Sequence, residues 1–331
     1  MRATLILFAM SAAFGQDVSR VFQLHHIDAE KDQYDFATLV RTISDTRQVS
    51  ADVPQKTLSV RGTASQISIA EWLFTELDRQ TVPDSVSQEF RVANNADDVV
   101  QLFFLPNTAT IQDFQEVATT IRTIAEIRRV FAFSTPRALA LRGTADQVAA
   151  AAFMIHELDQ PAGAKKADSR VHQMIDTGNH GETVVRIFYL PYTSTIQQFQ
   201  EVATLVRTIA EIRRVFTCNT PKALIVRGTA DQMALVDWMV HELGKPVDPA
   251  TLASQPYTMA DDSFVRVFYV KNVPTVQAFQ QVATQIRTAS SIRRVFTYNA
   301  TMAMAVRGTA AQLAIVDQML QDRARQVASK E

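Results

Sequence analysis

The sequence is poor in cysteine, in glycine and in net charge. Of its 331 residues one is cysteine and nine are glycine, and 33 basic side chains are balanced by 34 acidic ones. The single cysteine, Cys218, excludes an intramolecular disulfide and a zinc site built from several cysteines. So few glycines leave little material for a glycine-rich phosphate loop. The balanced charge gives no electrostatic reason to expect a nucleic acid or an anionic membrane as partner.

Long hydrophobic runs are also missing. The apolar segment at residues 3–10 is too short to span a bilayer, which takes about 20 apolar residues. A basic start at Arg2 and the small residues Ala13 and Gly15 are typical of a secretory signal peptide. We therefore expect residues 1–15 to be a signal peptide. The remainder is then predicted to be exported to the periplasm without a membrane span, with any outer-membrane association made through a partner.

One short motif recurs four times along the chain. Each copy of Arg-Gly-Thr follows an Arg-Thr pair by 20 positions, and residues 111–147 match residues 196–232 at 28 of 37 positions without a gap. Such self-similarity is the signature of a tandem array. It predicts four modules, at residues 16–80 (module 1), 86–160 (module 2), 169–245 (module 3) and 255–327 (module 4).

Module 3 shows the pattern of elements within a copy. Residues 184–190 are β-branched and aromatic, which favours a strand. Thr195 with Gln198 three positions later is typical of a helix start. Two short strands are predicted at residues 214–218 and 223–226, and a second capped helix follows them. The order is strand, helix, strand, strand, helix.

This order predicts an α/β (α+β) fold of KH-like modules, each with two helices on one face of a three-stranded sheet. Modules 2, 3 and 4 are predicted to carry an extra N-terminal strand, at residues 88–92, 171–175 and 255–259. Linkers rich in proline and in small or polar residues are expected at residues 81–85, 161–168 and 246–254.

The stretch from strand through turn to capped helix suggests a family. Residues 219–229 (NTPKALIVRGT), continuing to Val236 and Leu243, resemble the short N-terminal repeats of bacterial secretins, the outer-membrane channels of type II and type III secretion and of type IV pili. The resemblance covers all four modules. It implies periplasmic domains of KH-like topology that pack into rings and meet inner-membrane and pilus components. Because a secretin needs a long C-terminal segment and this sequence stops at Glu331, we expect that it does not itself form the channel.

The recurring Arg-Gly-Thr triplet has a structural interpretation. Glycine permits a tight strand-to-helix turn, threonine caps the helix with a glutamine three positions on, and the arginine ends a strand on its outward side. The predicted turn and cap residues are Gly62, Thr63, Gly143, Thr144, Gly228, Thr229, Gly308 and Thr309.

The open sheet face is the candidate protein-interaction surface. If Leu224 and Val226 point to the helices of module 3, alternation sends Ile225 and Arg227 to the opposite face. The candidate residues on this face are Phe104, Phe131, Tyr189, Phe216, Tyr269, Phe296, Arg129, Arg214 and Arg294. The face is either covered by a neighbouring module or exposed to a partner. A strand slipped by one residue would instead bury the aromatic side chains in the module cores.

No catalytic constellation recurs in the four copies. His156 and His241 share a helix position but lack the second histidine of a zinc helix, and Cys218 has Phe133 as its counterpart. We expect no catalytic residues, no metal and no cofactor. A Gly-X-X-Gly string at residues 178–181 falls in a predicted hairpin turn and in one copy only, so we expect no nucleic-acid partner.

These observations predict a non-catalytic, exported interaction or scaffold protein. Its partners would be proteins of the cell envelope or further copies of itself, within a protein secretion or type IV pilus assembly. The alternative is a periplasmic ligand-binding protein or enzyme that uses clefts between modules.

Overall fold

The computed structural model describes residues 17–80, 89–92, 98–161, 163–164, 167–175, 182–246 and 252–328. The predicted signal peptide, the linker at residues 81–85 and the Gly-X-X-Gly string at residues 178–181 lie outside these residues. The chain divides into two compact units. The first unit is the chain up to Leu105 together with Arg128–Ala145, and the second unit is Pro106–Ile127 together with the chain from Asp146 onward.

The helices and strands follow the predicted order in every module. Module 1 contains β1 (Val18–Gln23), α1 (Glu30–Ser44), β2 (Gln48–Asp52), β3 (Thr57–Gly62) and α2 (Ala64–Leu77). Module 2 contains β4 (Phe90–Arg91), β5 (Val99–Phe104), α3 (Ile111–Ile124), β6 (Arg129–Phe133), β7 (Ala138–Gly143) and α4 (Ala145–Leu158).

Module 3 contains β8 (His172–Ile175), β9 (Glu182–Tyr189), α5 (Ile196–Ile209), β10 (Arg214–Cys218), β11 (Ala223–Gly228) and α6 (Ala230–Gly244). Module 4 contains β12 (Tyr257–Thr258), β13 (Phe264–Tyr269), α7 (Val276–Ser290), β14 (Arg294–Tyr298), a 3-10 turn (Asn299–Thr301), β15 (Ala303–Gly308) and α8 (Ala310–Ala328).

Each module builds one small antiparallel sheet. In module 1 the strand order is β1-β3-β2, so the last strand lies in the middle. The other sheets have the orders β4-β5-β7-β6, β8-β9-β11-β10 and β12-β13-β15-β14, in which the extra strand pairs with the outer edge of the first main strand. The predicted α/β fold of four small modules, the last three with an additional N-terminal strand, is confirmed.

Threonine and glutamine define the start of the second helix. The Thr63 hydroxyl accepts a hydrogen bond from the Gln66 backbone N–H, and the Gln66 side chain accepts one from the Thr63 N–H. Thr229 with Gln232 and Thr309 with Gln312 repeat this reciprocal arrangement. Because these bonds satisfy backbone donors that a helix start leaves without partners, they fix where the helix begins.

The glycine before the cap does not adopt a left-handed backbone, but a side chain there would press on the capping glutamine. The glycines that precede Thr63, Thr229 and Thr309 do not have positive φ. A Cβ added at Gly62 would lie 2.5 Å from Oε1 of Gln66, and one at Gly228 would lie 2.9 Å from Oε1 of Gln232. The turn is therefore tight because the capping glutamine folds back over it.

Helix α5 shows how the layers alternate. Its buried side chains include Phe199, Val202, Leu205 and Val206, and they join one apolar core with residues of both the module 3 sheet and the module 4 sheet. A helix buried on two sides needs apolar residues at more positions than a surface helix does. Among the described residues, no helix is both long enough and apolar enough to cross a membrane.

Candidate functional site

The first helix of one module packs on the sheet of the next module. In the first unit α1 contacts β6 and β7. In the second unit α3 contacts β10 and β11, and α5 contacts β14 and β15. We call each of these three contacts a junction. The open sheet faces of modules 2, 3 and 4 are therefore covered by helices of the same chain.

The candidate aromatic residues lie in these junctions. Phe104 and Tyr269 are buried and belong to apolar cores shared with α1 and α5. The Tyr189 hydroxyl donates to the Glu157 carbonyl oxygen at 2.7 Å, at the end of α4. The remaining candidates are half-buried: Phe131, Tyr189, Phe216, Phe296, Arg129, Arg214 and Arg294. The structure thus places the face against the chain's own helices, which is the internal-packing alternative.

The arginine of the Arg-Gly-Thr triplet caps the helix that covers its sheet. Arg142 Nη1 donates to the carbonyl oxygen of Ile43 at 3.0 Å, Arg227 Nη1 to that of Ile124 at 3.0 Å, and Arg307 Nη1 to that of Ile209 at 3.2 Å. A positive charge is favoured at a helix C-terminus, where carbonyl groups lack partners. The strand parity expected for this arginine is right, but in these three modules its side chain is enclosed and not solvated.

Arg61, the first copy of this arginine, has different surroundings. Its side chain is 58% exposed and Nε lies 3.6 Å from Oδ2 of Asp17. The sheet face around it is also polar, with Gln23 and Ser50 where the other modules have aromatic residues. The enclosed arginine is therefore a property of the junctions and not of the triplet itself.

An acidic residue completes each junction. Asp45, Glu126 and Glu211 follow α1, α3 and α5 and have positive φ of 61°, 57° and 56°. A left-handed backbone at a residue other than glycine is uncommon and costs free energy. The carboxylates of these residues pair with arginines of the next sheet: Asp45 with Arg129, Glu126 with Arg214 and Arg227, and Glu211 with Arg294 and Arg307.

The same three residues are held from the other side by their own module. Gln66 Nε2 donates to the carbonyl oxygen of Asp45 at 2.7 Å, Gln147 Nε2 to that of Glu126 at 3.1 Å, and Gln232 Nε2 to that of Glu211 at 3.4 Å. Gln66, already part of the helix cap, thus also ties the end of α1 to the start of α2. Cap, helix end and junction form one connected polar network.

A second polar contact lies in the middle of the covering helix. Glu116 on α3 accepts hydrogen bonds from the backbone N–H and the side-chain amide of Asn219, both at 2.9 Å. Glu201 on α5 makes the same pair of contacts with Asn299, at 2.9 and 2.7 Å. Sequence reasoning did not single out these residues, because the near-identity of modules 2 and 3 hides which shared positions matter.

Comparisons with known proteins give matches to solved structures only. No protein-family model and no curated protein matches the sequence. The chain is similar to ExeD of Aeromonas hydrophila, with 17% identity over 69% of this chain and 41% of that one, at a TM-score of 0.18. It is similar to a chain of the ETEC pilotin-secretin AspS-GspD complex, with 12% identity, coverage of 70% and 38%, and a TM-score of 0.17. It is also similar to XcpQN012, with 14% identity, coverage of 70% and 100%, and a TM-score of 0.23. The match spans less than half of each of the first two chains.

Cys218 lies inside the junction between α3 and the module 3 sheet. Its thiol is buried and lies 3.4 Å from the Thr120 hydroxyl. Burial raises the pKa of the thiol to about 12, because the thiolate would lose its hydration. The thiol is therefore protonated at neutral pH and packs as a small apolar side chain.

Asp168, Asp237 and His241 bring possible metal-ligating atoms within 4.8 Å of one another. Both carboxylates and the His241 ring already contact other protein groups. Arg186 pairs with Asp237 at 2.7 Å, the Asp168 carboxylate accepts from the Tyr189 N–H at 2.9 Å, and His241 Nδ1 lies 2.7 Å from the Asp237 carbonyl oxygen. The arginine in contact with Asp237 disfavours a cation there. The expectation of no metal stays a prediction.

One recurring position has no contact that explains it. Arg47, Arg128, Arg213 and Arg293 occupy equivalent places just before β2, β6, β10 and β14, and all four are exposed. Sequence reasoning missed this position although an arginine stands there in every module. Its recurrence was the available signal.

Proposed function

We propose that this chain is a non-catalytic, periplasmic interaction protein that serves as a scaffold in a protein secretion or type IV pilus assembly. The observation that carries the proposal is the use of its recurring polar residues. Arg227 and Glu126, with their counterparts at the other two junctions, and Glu116, with its counterpart Glu201, hold modules together. Residues arranged in this way stiffen the contact between neighbouring elements. The motif resemblance of residues 219–229 to secretin repeats indicates the class of assembly.

A scaffold benefits from junctions of this kind. Each one combines an apolar helix-to-sheet contact with buried charge-assisted hydrogen bonds, which are directional and so fix the angle between neighbouring elements. Partners then meet surfaces of defined geometry, and less conformational entropy is lost on binding.

The second candidate is a ligand-binding protein or enzyme that uses inter-module clefts, and one cavity favours it. A cavity of about 180 Å³ lies beside α3, lined among others by Asp113, Glu116, Cys218 and Pro221. Its carboxylates are already engaged, Asp113 by the Thr220 hydroxyl and Glu116 by Asn219. Its thiol is protonated at neutral pH. We therefore rank this candidate second.

The test is crosslinking of the tagged full chain in its native cells, followed by fractionation and mass spectrometry of the crosslinked species. The scaffold proposal expects the chain in the periplasmic fraction, crosslinked to components of an envelope secretion or pilus assembly. Deletion of the gene should then reduce export or piliation. A cytoplasmic location, or crosslinks that include no envelope protein and no second copy, overturns the proposal. A small molecule that raises the unfolding temperature of the purified chain, lost in Cys218→Phe, supports the second candidate instead.

A further inference from the structure

Three arginine positions recur in all four modules, and two of them have an internal role. The arginine of the Arg-Thr pair lies on the first helix and donates to a strand carbonyl. Arg41 reaches Val49 at 3.0 Å, and its counterparts Arg207 and Arg287 reach the equivalent carbonyl oxygens at 2.9 Å. The triplet arginine of modules 2, 3 and 4 caps the helix of the preceding module, as described above, whereas Arg61 of module 1 is exposed beside Asp17. Hydrogen bonds within the fold therefore explain the arginine at the first position, and at the second position in modules 2, 3 and 4.

The third position is the one held by Arg47, Arg128, Arg213 and Arg293, here called the free arginines. No ion pair or side-chain hydrogen bond joins any of them to another described residue. The next position in the chain is arginine in the three modules whose sheet is covered at a junction, where it forms an ion pair with the acidic residue. In module 1, whose sheet has no such junction, the same position is Gln48. A cation that persists across diverged modules without an internal contact points to a role outside the fold.

In the second unit each free arginine lines a cavity. The cavity beside Arg213 has a volume of about 590 Å³ and is also lined by Arg214, Arg227 and the first turn of α6. The cavity beside Arg293 has a volume of about 510 Å³ and is also lined by Arg294, Arg307 and the first turn of α8. The two cavities are built from equivalent positions of modules 3 and 4. Both are large enough to admit a side chain from another molecule.

Charge in the cavity beside Arg213 is not balanced. Glu126 forms ion pairs with both Arg214 and Arg227, so its single negative charge offsets one of their two positive charges. Glu211 also lines this cavity, but its carboxylate is held by arginines of module 4. Three arginines and two glutamates line this cavity, and Arg213 is the arginine among them without an ion pair to another described residue.

The cavity beside Arg293 also has more positive than negative side chains. Arg294 and Arg307 share Glu211, and Arg307 also meets Asp261 at 2.8 Å. Ser291 stands where modules 2 and 3 have a glutamate, so this residue adds no negative charge. Arg293 is again the arginine without an ion pair to another described residue, and over both cavities six arginines face the three carboxylates of Glu126, Glu211 and Asp261.

We propose that these two cavities bind side-chain carboxylates of an acidic segment on a partner protein. A carboxylate is planar and carries one negative charge, so it matches the fork of the one guanidinium in each cavity that has no ion pair with another described residue. A phosphate or a nucleic-acid backbone would bring more negative charge next to the glutamates in the wall. Two equivalent cavities in one unit let a single segment bind twice, which raises its affinity through effective concentration. This inference rests on the proposed function and names the chemistry of its partner.

The test uses the purified full chain and a fluorescein-labelled peptide of ten glutamates, with binding read by fluorescence anisotropy at low ionic strength. We expect binding that weakens as salt rises. The double variant Arg213→Gln with Arg293→Gln should bind about tenfold more weakly. The control variant Arg170→Gln with Lys271→Gln removes the same charge from the same unit outside the cavities, and it should change the affinity less than about twofold. The double variant with lysine at both free arginines should bind with intermediate affinity, because lysine keeps the charge and loses the fork.

Four outcomes would overturn the inference: no binding of the glutamate peptide, an equal loss in the control variant, stronger binding of a ten-nucleotide single-stranded DNA, or stronger competition by inorganic phosphate than by free glutarate. Circular dichroism checks that each variant is folded. If the glutamine variant does not fold, the lysine variant still decides, since it retains the charge at an exposed position. Because the assay uses no cellular assembly, its failure leaves the crosslinking test of the proposed function untouched.

Discussion

Arg227 donates through Nη1 to the carbonyl oxygen of Ile124, the last residue of α3, at 3.0 Å. The two residues are 103 positions apart and belong to different modules. Nη1 of the same guanidinium lies 3.2 Å from Glu126, and its Nε donates to the Thr183 hydroxyl at 3.0 Å. One buried side chain of the module 3 sheet therefore contacts the end of α3, Glu126 just beyond that helix, and strand β9 of its own sheet.

Replacing Arg227 by methionine should lower the free energy of unfolding by about 3 kcal/mol, because the change leaves Glu126 without one of its two partners and a helix carbonyl without a donor. The side chain of Arg227 is 2% exposed. Urea unfolding followed by circular dichroism measures the effect. The matched control is Arg61→Met, whose side chain lies on the uncovered face of module 1 and should cost less than about 0.5 kcal/mol. Equal losses in the two variants would contradict the role assigned to the junction.

Replacing Gly228 by alanine should destabilise the chain by about 1 kcal/mol, because the new Cβ would displace Oε1 of Gln232 and break the helix cap. A double-mutant cycle checks the mechanism. In the Gln232→Ala background the cap is already lost, so Gly228→Ala should then cost much less. An unchanged cost in that background would show that the backbone, and not the capping glutamine, requires glycine at this position.

The thiol of Cys218 should resist alkylation in the folded chain at pH 8, because burial raises its pKa to about 12 and excludes the reagent. Iodoacetamide labelling followed by mass spectrometry should show modification only when urea is added. The positive control is Ile196→Cys in a Cys218→Ala background. Ile196 is 62% exposed, so a cysteine there should react at once. Rapid labelling of Cys218 in the native chain would contradict its placement in the junction.

Acid should destabilise the first unit through Asp98. A hydrogen bond from Arg142 holds the pKa of this carboxyl below its usual range. A folded-state pKa below the unfolded value contributes stability at pH values above the unfolded pKa, and the contribution is lost as the pH falls through the folded pKa. The unfolding temperature should therefore be steady near neutral pH and fall below about pH 4. Asp98→Asn should be less stable at pH 7 and lose less on acidification; an identical pH profile in both proteins would rule out this ion pair as a contributor.

Local patterns were enough to predict the modules. The strand at Arg214–Cys218 was predicted with its observed bounds, and α5 begins immediately after its predicted cap, Thr195. These features depend on residues within a few positions of one another, so a single copy of the repeat contains all the information they need. A glycine in the turn at position 228 was expected from the sequence. Its contact with the Gln232 side chain was not, because residue spacing does not show that this side chain lies over the turn.

Local patterns predicted which residues share the open sheet face, but not what covers that face. Alternation along β9 and β11 put Tyr189 and Arg227 on the open face, as the structure has them. What covers that face depends on contacts such as Arg227 with Ile124 and Asn219 with Glu116, whose partners lie about a hundred residues apart. The spacing of apolar residues in the sequence is the same for a sheet face covered by a neighbouring module and for one exposed to a partner protein.

The fourfold repeat and the pattern of apolar and capping residues within it thus determined by themselves that the chain is an array of small α/β modules. The scarcity of glycine, cysteine and net charge left no material for a glycine-rich phosphate loop, a disulfide or an electrostatic reason for a nucleic-acid partner. The spacing of apolar residues and the capping residues act over a few positions, so they can be recognised in the sequence. Only the tertiary structure decided that the outward arginines of modules 2, 3 and 4 end as enclosed helix caps and that the free arginine of each module has no ion pair with another described residue. Those outcomes depend on which helix reaches which sheet, and that choice is made by packing and charge pairing between segments far apart in the sequence.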